Sequence, residues 1–442
     1  MEREYYLLNF AVSGIKNIEK EITLEFYNKT IDKAFNPDKF RVKAIYGENG
    51  SGKTAIVSAI QILKDIILRS DYLTDSAKKK GLAESINKKT KKIEIKAEFL
   101  RKAEEESIYV YKYAVTVKTG EIGSYEIERE SLDVKNGDYT SSVFKPIFEC
   151  NKGELTFADL SDEAMQVIHE QSLNLLGSRS MINICLSNYR KNKNLPGSLE
   201  LHIGILDAVL FASCLHVSLE ESDQHELYIL TEELRSARKK DDYAKIYLNL
   251  NARMDLMIKN GKKEILKENY KEYEKEIKWL TQFIKLFKQD LINIEINRSV
   301  NGDYYVTSLV MDYGKYKIDS EYESNGIKRL IKLFNYMNYA VSGDIVFIDE
   351  MDSNINDIYL TKMVEFFMVY GKGQLCFTTH NTSPMSVLRK NKKSIDFLSN
   401  DNRIVSWKTN GNFAPDRLYK QGMIEYLPFN IEPEDFLGIL GD

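Results

Sequence analysis

The sequence predicts an α/β fold: a core of parallel strands and helices that carries an antiparallel β meander and a helical insertion. Three observations lead there. A glycine-rich run, Gly47 to Thr54, follows a short apolar strand and opens a helix. Three runs between 92 and 134 alternate apolar and polar residues. From 326 to 378, helical and strand patterns alternate, and that alternation argues for parallel strands.

Residues 4–11, 21–26 and 41–47 read as short strands. After the glycine-rich run, Ile56, Ile60, Leu63 and Ile67 recur at helical spacing. The runs KIEIKAEFL (92–100), SIYVYKYAVTV (107–117) and SYEIERESLDV (124–134) alternate as strands with one wet face do. Gly120 and Gly123 mark a turn between two of them. From about 160 to 290 the pattern turns helical, with Ile277, Leu280, Ile284 and Phe287 on one stripe. The heptads are too short for an extended coiled coil, so a compact insertion is expected, its stripes more often core than interface. LINIEIN and residues 303–314 predict a hairpin. A helix (326–339), a strand (345–349), a helix (357–370) and a strand (374–378) then close the core. The expected divisions are 1–155, an insertion at 156–290, 291–410 and a tail at 411–442, in which PFNIEPEDF is a candidate docking segment.

A chain of 442 residues is long enough for one large domain or two ordinary ones. Its net charge of -4 gives no global attraction to nucleic acid or anionic lipid, so such contact needs a local patch. One basic stretch exists: Lys78, Lys79, Lys80, Lys88, Lys89, Lys91 and Lys92. A solvated loop edge is its plainest reading, ahead of DNA and partner contact. Cys150, Cys185, Cys214 and Cys376 lie far apart with no CxxC pair, which argues against a zinc site or a disulfide framework. Cys214 with His216 reads as a structural pair. MEREYYLLNF lacks the apolar core of a signal peptide, and no apolar stretch of about 18 residues occurs. A cytoplasmic, reducing location without membrane contact is the expectation.

Gly47-Glu48-Asn49-Gly50-Ser51-Gly52-Lys53-Thr54 fits GxxxxGK[ST]. Glycines let backbone N–H groups converge on phosphates at a helix start, Lys53 supplies a mobile charge, and Thr54 offers a hydroxyl to Mg²⁺. Asn49, Gly50, Ser51, Gly52, Lys53 and Thr54 are therefore the expected binding residues. A plain glycine-rich turn would not explain Lys-Thr at that place. The buried-type run Ile345–Ile348 delivers Asp349 and Glu350 to a strand's C-terminal edge, where ligands sit in open α/β sheets. Asp349 is the expected metal residue and Glu350 the expected general base; a solvated acidic turn is the plainer alternative. Ser324 is a fitting N-cap before Asn325 and Gly326, as it would be for any capped helix. His380 ends a core strand within Thr378-Thr379-His380-Asn381. A lone histidine is usually structural, but this one is placed to reach a γ-phosphate.

The order of these segments, with the opening FAVSGIKNIEKEITLEF, resembles the ABC ATPases of the RecF/SMC/OLD branch over 1–150 and 290–410. The resemblance implies a P-loop NTPase of ABC-ATPase type. It also implies Mg-dependent ATP hydrolysis, with ATP and Mg²⁺ as cofactors and the active site shared between subunits. Ser324 and Gly326 match the signature that touches the γ-phosphate bound by the partner subunit. A homo-oligomer follows, at least a dimer. Residues 351–356 match the dimer-facing D-loop, and His380 matches the switch histidine. Asn356 stands where many relatives have His and Asp357 where many have Pro, so the loop's detailed geometry departs from the pattern. No glutamine matches the glutamine loop; Gln166 and Gln171 lie too late.

Residues 381–442 are too short for the Toprim nuclease domain of OLD proteins. Within the branch, the chain is similar to the stand-alone PARIS- or AbiL-type ATPase subunits of two-gene anti-phage systems. That implies a toxin–antitoxin-like, abortive-infection role. The chain would hold a separate effector, a Toprim-like nuclease, and release it when a phage trigger protein is sensed. Two readings stay beside it: a RecF/SMC-like repair ATPase that binds DNA, and a nucleotide-gated scaffold with negligible turnover. A transporter's ATPase subunit fits poorly, because the stretch from Lys53 to Ser324 is too long.

Overall fold

The computed structural model describes residues 3–103, 107–120, 123–152, 154–158, 177–185, 199–219, 257–391, 393–407 and 414–424. In chain order, β1 (Arg3–Ser13) and β2 (Ile22–Glu25) precede β3 (Val42–Gly47) and a helix, Lys53–Leu68. A second helix, Ser76–Ser85, leads to β4 (Lys92–Ala103), β5 (Tyr109–Thr119), β6 (Tyr125–Asn136), β7 (Lys145–Asn151) and β8 (Glu154–Ala158). The helix Leu199–Ser213 runs into β9 (Leu215–Ser218). β10 (Lys263–Leu266) and the helix Tyr270–Lys285 precede β11 (Asn293–Asn301), β12 (Tyr304–Asp312) and β13 (Lys317–Asp319). The helix Asn325–Ser342, β14 (Ile345–Ile348), the helix Asp357–Tyr370 and β15 (Gln374–Thr378) come next. β16 (Ile395–Leu398), β17 (Ile404–Ser406) and the short helix Pro415–Lys420 end the described chain.

These strands form three sheets. The meander is the antiparallel sheet β2-β1-β4-β5-β6-β7-β8. The core sheet runs β17-β16-β3-β15-β14-β9, parallel except for β17. A small antiparallel sheet, β10-β12-β11 with β13 on β12, makes the third. Every residue of β3, β14, β15 and β16 is buried, as expected for parallel strands covered on both faces. The fold is thus α/β with an antiparallel sheet, as the pattern predicts.

The helix 53–68 packs into one apolar cluster with both large sheets. Its Ile56, Ile60, Leu63 and Ile67 share that cluster with Phe10 and Phe99 of the meander and Phe347 of β14. One polar bridge joins the two sheets as well. The β1–β4 register shifts between Leu7 and Asn9, and Gln374 of β15 serves the Leu7 backbone there. Leu7 N–H donates to Gln374 Oε1 at 2.7 Å, and Gln374 Nε2 donates to Leu7 O at 2.9 Å. A buried peptide group at an irregularity needs such a partner, and a side-chain amide matches both its halves.

The stripe Ile277, Leu280 and Ile284 packs against Leu309, Met311, Ile331 and Phe334, so it is core. Between 156 and 290 the described residues hold the helices Leu199–Ser213 and Tyr270–Lys285 but also the strands β9 and β10. β9 forms the edge of the core sheet beside β14, and β10 pairs with β12. The stretch expected as an insertion therefore contributes to the core itself. "LHVS" is too short for periodicity to mark it. His216 in β9 stacks on Tyr339, with ring centroids 3.8 Å apart, and meets Asp344 at 3.0 Å, which is a structural role. Beyond 411 a helix brings Tyr419 onto Phe397 and Tyr46; the segment PFNIEPEDF lies outside the described residues. No described helix is long and apolar enough to cross a membrane.

Candidate functional site

β3 ends at Gly47, and the chain must turn at once into the helix at 53. Gly50 (φ +81°) and Gly52 (φ +110°) take the left-handed conformations that make the turn, which residues with a Cβ rarely adopt. A Cβ on Gly52 would also sit 3.0 Å from the Ile18 side chain. No side chain caps the helix, so its first-turn N–H groups remain available to an anion. Ser51 Oγ is buried and has no hydrogen-bond partner among the described residues. Asn17 Nδ2 steadies the loop by donating to Gly50 O at 2.6 Å, and Asn400 pairs with Glu48.

Lys53 Nζ folds back over the loop, donating to Gly47 O and Glu48 O, both at 2.8 Å. Burial pushes its pKa down, while the carboxylates of Asp349, Glu350, Asp352 and Glu48 pull it up. The glycine-rich loop and the acidic strand end lie at the same edge, because β3 and β14 both run parallel to β15 between them.

β14 stops at Ile348, so Asp349 and Glu350 emerge at the sheet's C-terminal edge. Thr378, at the end of neighbouring β15, holds both. Its Oγ1 donates to Asp349 Oδ1 at 2.6 Å and accepts the Glu350 N–H at 2.8 Å. Arg329, buried on the helix 325–342, donates from Nη2 to Asp349 O at 3.1 Å and Glu350 O at 2.6 Å. Ser353 N–H adds a bond to Glu350 O at 2.9 Å. Glu350 needs these clamps, because its φ of +47° is left-handed, costing a non-glycine residue roughly 1–2 kcal/mol. Asp349 is buried, whereas Glu350 is exposed at the edge.

His380 lies just past β15, exposed, with its N–H donating to Asp352 Oδ2 at 3.3 Å. Partial desolvation lowers its pKa, and the Lys53 ammonium lowers it further against the pull of Asp352 and Asp349. The structure thus gathers Asn49–Thr54, Asp349, Glu350 and His380 at one edge of the core sheet.

Ser324 and Gly326 open the neighbouring helix 325–342. Ser324 caps its helix, with Oγ accepting from Ile327 N–H at 3.4 Å, and is exposed. A Cβ on Gly326 would lie 3.3 Å from Asn354 O, so this helix start abuts the 351–356 loop. Among the described residues, no hydrogen bond or ion pair links Ser324 or Gly326 with residues 47–54.

Arg329, Thr378 and Asp352 have site roles that the sequence reading does not assign. Arg329 left one signal: an arginine among Ile327, Leu330 and Ile331 on a buried face requires partners. The donor chemistry fits a nucleotide triphosphate with a hard divalent ion. Ser51 Oγ is an unused buried hydroxyl, and Lys53 is a cation held beside the loop. Thr54 and Asp349 would hold the ion through oxygen, the donor that such ions prefer.

No family model matches the chain, and no curated protein matches it. Among solved structures it is similar to the SmcHead bound to the C-winged helix domain of ScpA, with 14% identity and a TM-score of 0.43 over 91% of this chain and 98% of that one. It is also similar to the recombination mediator protein RecF-ATP of the RecFOR pathway, with 14% identity and a TM-score of 0.40 over 92% and 100%. A third likeness is to the Smc head domain with a coiled coil and joint from Pyrococcus yayanosii, with 12% identity and a TM-score of 0.41 over 91% and 97%.

Proposed function

We propose that this chain binds ATP with Mg²⁺ and hydrolyses it in a site that a second copy completes. One observation carries the reading. Lys53 after β3, Asp349 and Glu350 after β14 and His380 after β15 lie at the same end of three adjacent parallel strands, while the helix start at Ser324, itself exposed, lies beside the 351–356 loop. Ser324 Oγ takes the Ile327 N–H, and the first N–H groups of that helix, at Asn325 and Gly326, suit the phosphate of another copy's nucleotide.

In this reading the first-turn N–H groups and Ser51 Oγ take the phosphates. Lys53 leaves the Gly47 and Glu48 carbonyls for phosphate oxygens. Thr54 and Asp349 hold Mg²⁺, which when bound neutralises phosphate charge. Glu350, aimed by Arg329 and Thr378, accepts a proton from the water that attacks the γ-phosphorus. His380, whose pKa is lowered by partial desolvation and by Lys53, donates to the γ-phosphate.

Two substitutions test this. Glu350→Gln should bind ATP, lose turnover and accumulate as an ATP-dependent dimer in size-exclusion chromatography. Lys53→Ala should lose tight nucleotide binding and stay unassembled. Wild-type turnover in both variants would sink the assignment. Assembly by the wild-type chain with negligible turnover would favour the scaffold reading.

The finer reading, an anti-phage subunit that restrains a separate Toprim-like nuclease until a phage protein is sensed, rests on the sequence resemblance. Co-expression with the product of the adjacent gene tests it: an ATP-dependent complex supports it, and no complex in either nucleotide state rejects it. The DNA reading has a weaker surface than the lysine count implies. Lys78 pairs with Asp65 at 3.8 Å, Lys88 with Glu84 at 3.7 Å, and Lys89 with Glu19.

A further inference from the structure

We infer that Asp357 is a positioning residue that ties the His380 loop to the 351–356 loop, so that the two move as one unit when a second copy docks. The inference rests on the shared-site reading above and adds to it the part played by Asp357.

The observation is a two-ended cross-link. At one end, Met351 N–H donates to Thr378 O at 3.0 Å, and His380 N–H donates to Asp352 Oδ2 at 3.3 Å. At the other end, Asp357 Oδ1 accepts from Asn381 Nδ2 at 2.7 Å and Oδ2 accepts from Ser383 Oγ at 3.3 Å. The loop being gripped is itself stitched. Asn381 N–H donates to Thr379 Oγ1 at 2.9 Å, and Ser383 N–H donates to Asn381 Oδ1 at 2.9 Å. A segment fixed to its neighbour at both ends cannot slide past it without breaking several bonds together.

Asp357 is not needed as the helix cap. Asn356 caps the helix 357–370, accepting from Ile358 N–H at 2.9 Å. The carboxylate is therefore left for the His380 loop. A proline at 357 would carry no acceptor for Asn381, so the departure from the resembled pattern has a physical use here. The consequence is directional. The 351–356 loop lies against Gly326, on the face proposed to meet the other copy, and His380 serves the chain's own site. Docking would reach His380 through Asp352 and Asp357.

A plainer role competes: an acid in a helix's first turn favours the helix dipole. A swap separates the two. Asp357→Asn with Asn381→Asp removes the acid from the helix start yet keeps a donor facing an acceptor across the gap. The experiment compares wild type, Asp357→Ala, Asn381→Ala and the swap, following ATP turnover against ATP concentration and amide exchange at 379–383 with and without Mg-ATP.

Each alanine variant should lower kcat about tenfold, as loss of a charge-assisted bond would. KM should stay within about twofold, the Hill coefficient should fall, and exchange at 379–383 should quicken. The swap should restore most of kcat and the slow exchange. Wild-type kcat and exchange in both alanine variants would overturn the inference, as would a swap as impaired as Asp357→Ala. Asn381→Ala keeps the test open if Asp357→Ala folds poorly. Absence of turnover in the wild type would remove the site reading, and the exchange arm would still decide the tie.

Discussion

Thr378 Oγ1 donates to Asp349 Oδ1 at 2.6 Å while it accepts the Glu350 N–H at 2.8 Å. One hydroxyl on β15 thus orients the buried acid that follows β14 and the backbone of the next residue. Removing it while keeping the shape isolates this role. Thr378→Val should fold, bind ATP and lose about 10- to 100-fold in turnover, since a bond to a charged group contributes roughly 1.5–3 kcal/mol. Steady-state kinetics beside an ATP-binding isotherm checks it. Equal loss of binding and turnover would mean that Thr378 serves the ground state instead.

Arg329 makes a second prediction. Its Nη2 satisfies the carbonyls of Asp349 and Glu350, so Arg329→Met would keep the aliphatic bulk, remove the donor to Asp349 O and leave Glu350 O with Ser353 N–H. The expected cost is about 1–3 kcal/mol of stability. Glu350 would also lose a restraint on its left-handed backbone, so turnover should fall further than stability alone explains. Denaturant unfolding and turnover measured on the same variant separate the two effects.

How much of this was legible depended on whether a residue's partner was local. Gly50, Gly52, Lys53 and Thr54 are legible because strand, turn and helix follow one another in the chain. Asp349 and Glu350 are legible because "IVFI" is apolar enough to be covered on both faces. Arg329, Thr378 and Asp357 act on segments that sequence spacing does not bring together. Arg329 serves carbonyls 20 and 21 residues away, and Asp357 serves Asn381 24 residues away. β9 is not legible in the sequence for the same reason. Four residues show no period, and only their place beside β14 makes them core.

His380 carries a prediction about pH. Partial desolvation and Lys53 lower its pKa, so its neutral form persists to more acid conditions than for an ordinary histidine. The rate should depend on that neutral form, so the acid limb of the kcat/KM profile, which reports the free enzyme, should be shifted toward acid. Lys53→Met would remove one of the two lowering causes and raise the histidine's pKa. Because Lys53 also binds nucleotide, the comparison is made by titrating His380 directly by NMR in the nucleotide-free protein. An unchanged histidine titration in Lys53→Met would show that the two side chains do not sense each other.

Glu130 gives a prediction that does not involve nucleotide. It is buried where Tyr113 OH donates to Oε1 at 2.9 Å and Met181 N–H donates to Oε2 at 2.7 Å. Burial pushes its pKa up to about 7, against the lowering effect of those two donors. The sign follows from proton counting. Between the ordinary glutamate range and about pH 7 the folded chain keeps a proton that the unfolded chain releases. Raising the pH through that window therefore weakens folding, by on the order of 3 kcal/mol in all, and above it this contribution is flat. Glu130→Gln stays neutral in both states and can still accept from Met181 and donate to Tyr113. Its unfolding free energy should lose this slope and exceed that of the wild type at pH 8. Parallel wild-type and Gln curves from pH 5 to 8 would show that Glu130 is ionised in the folded chain throughout.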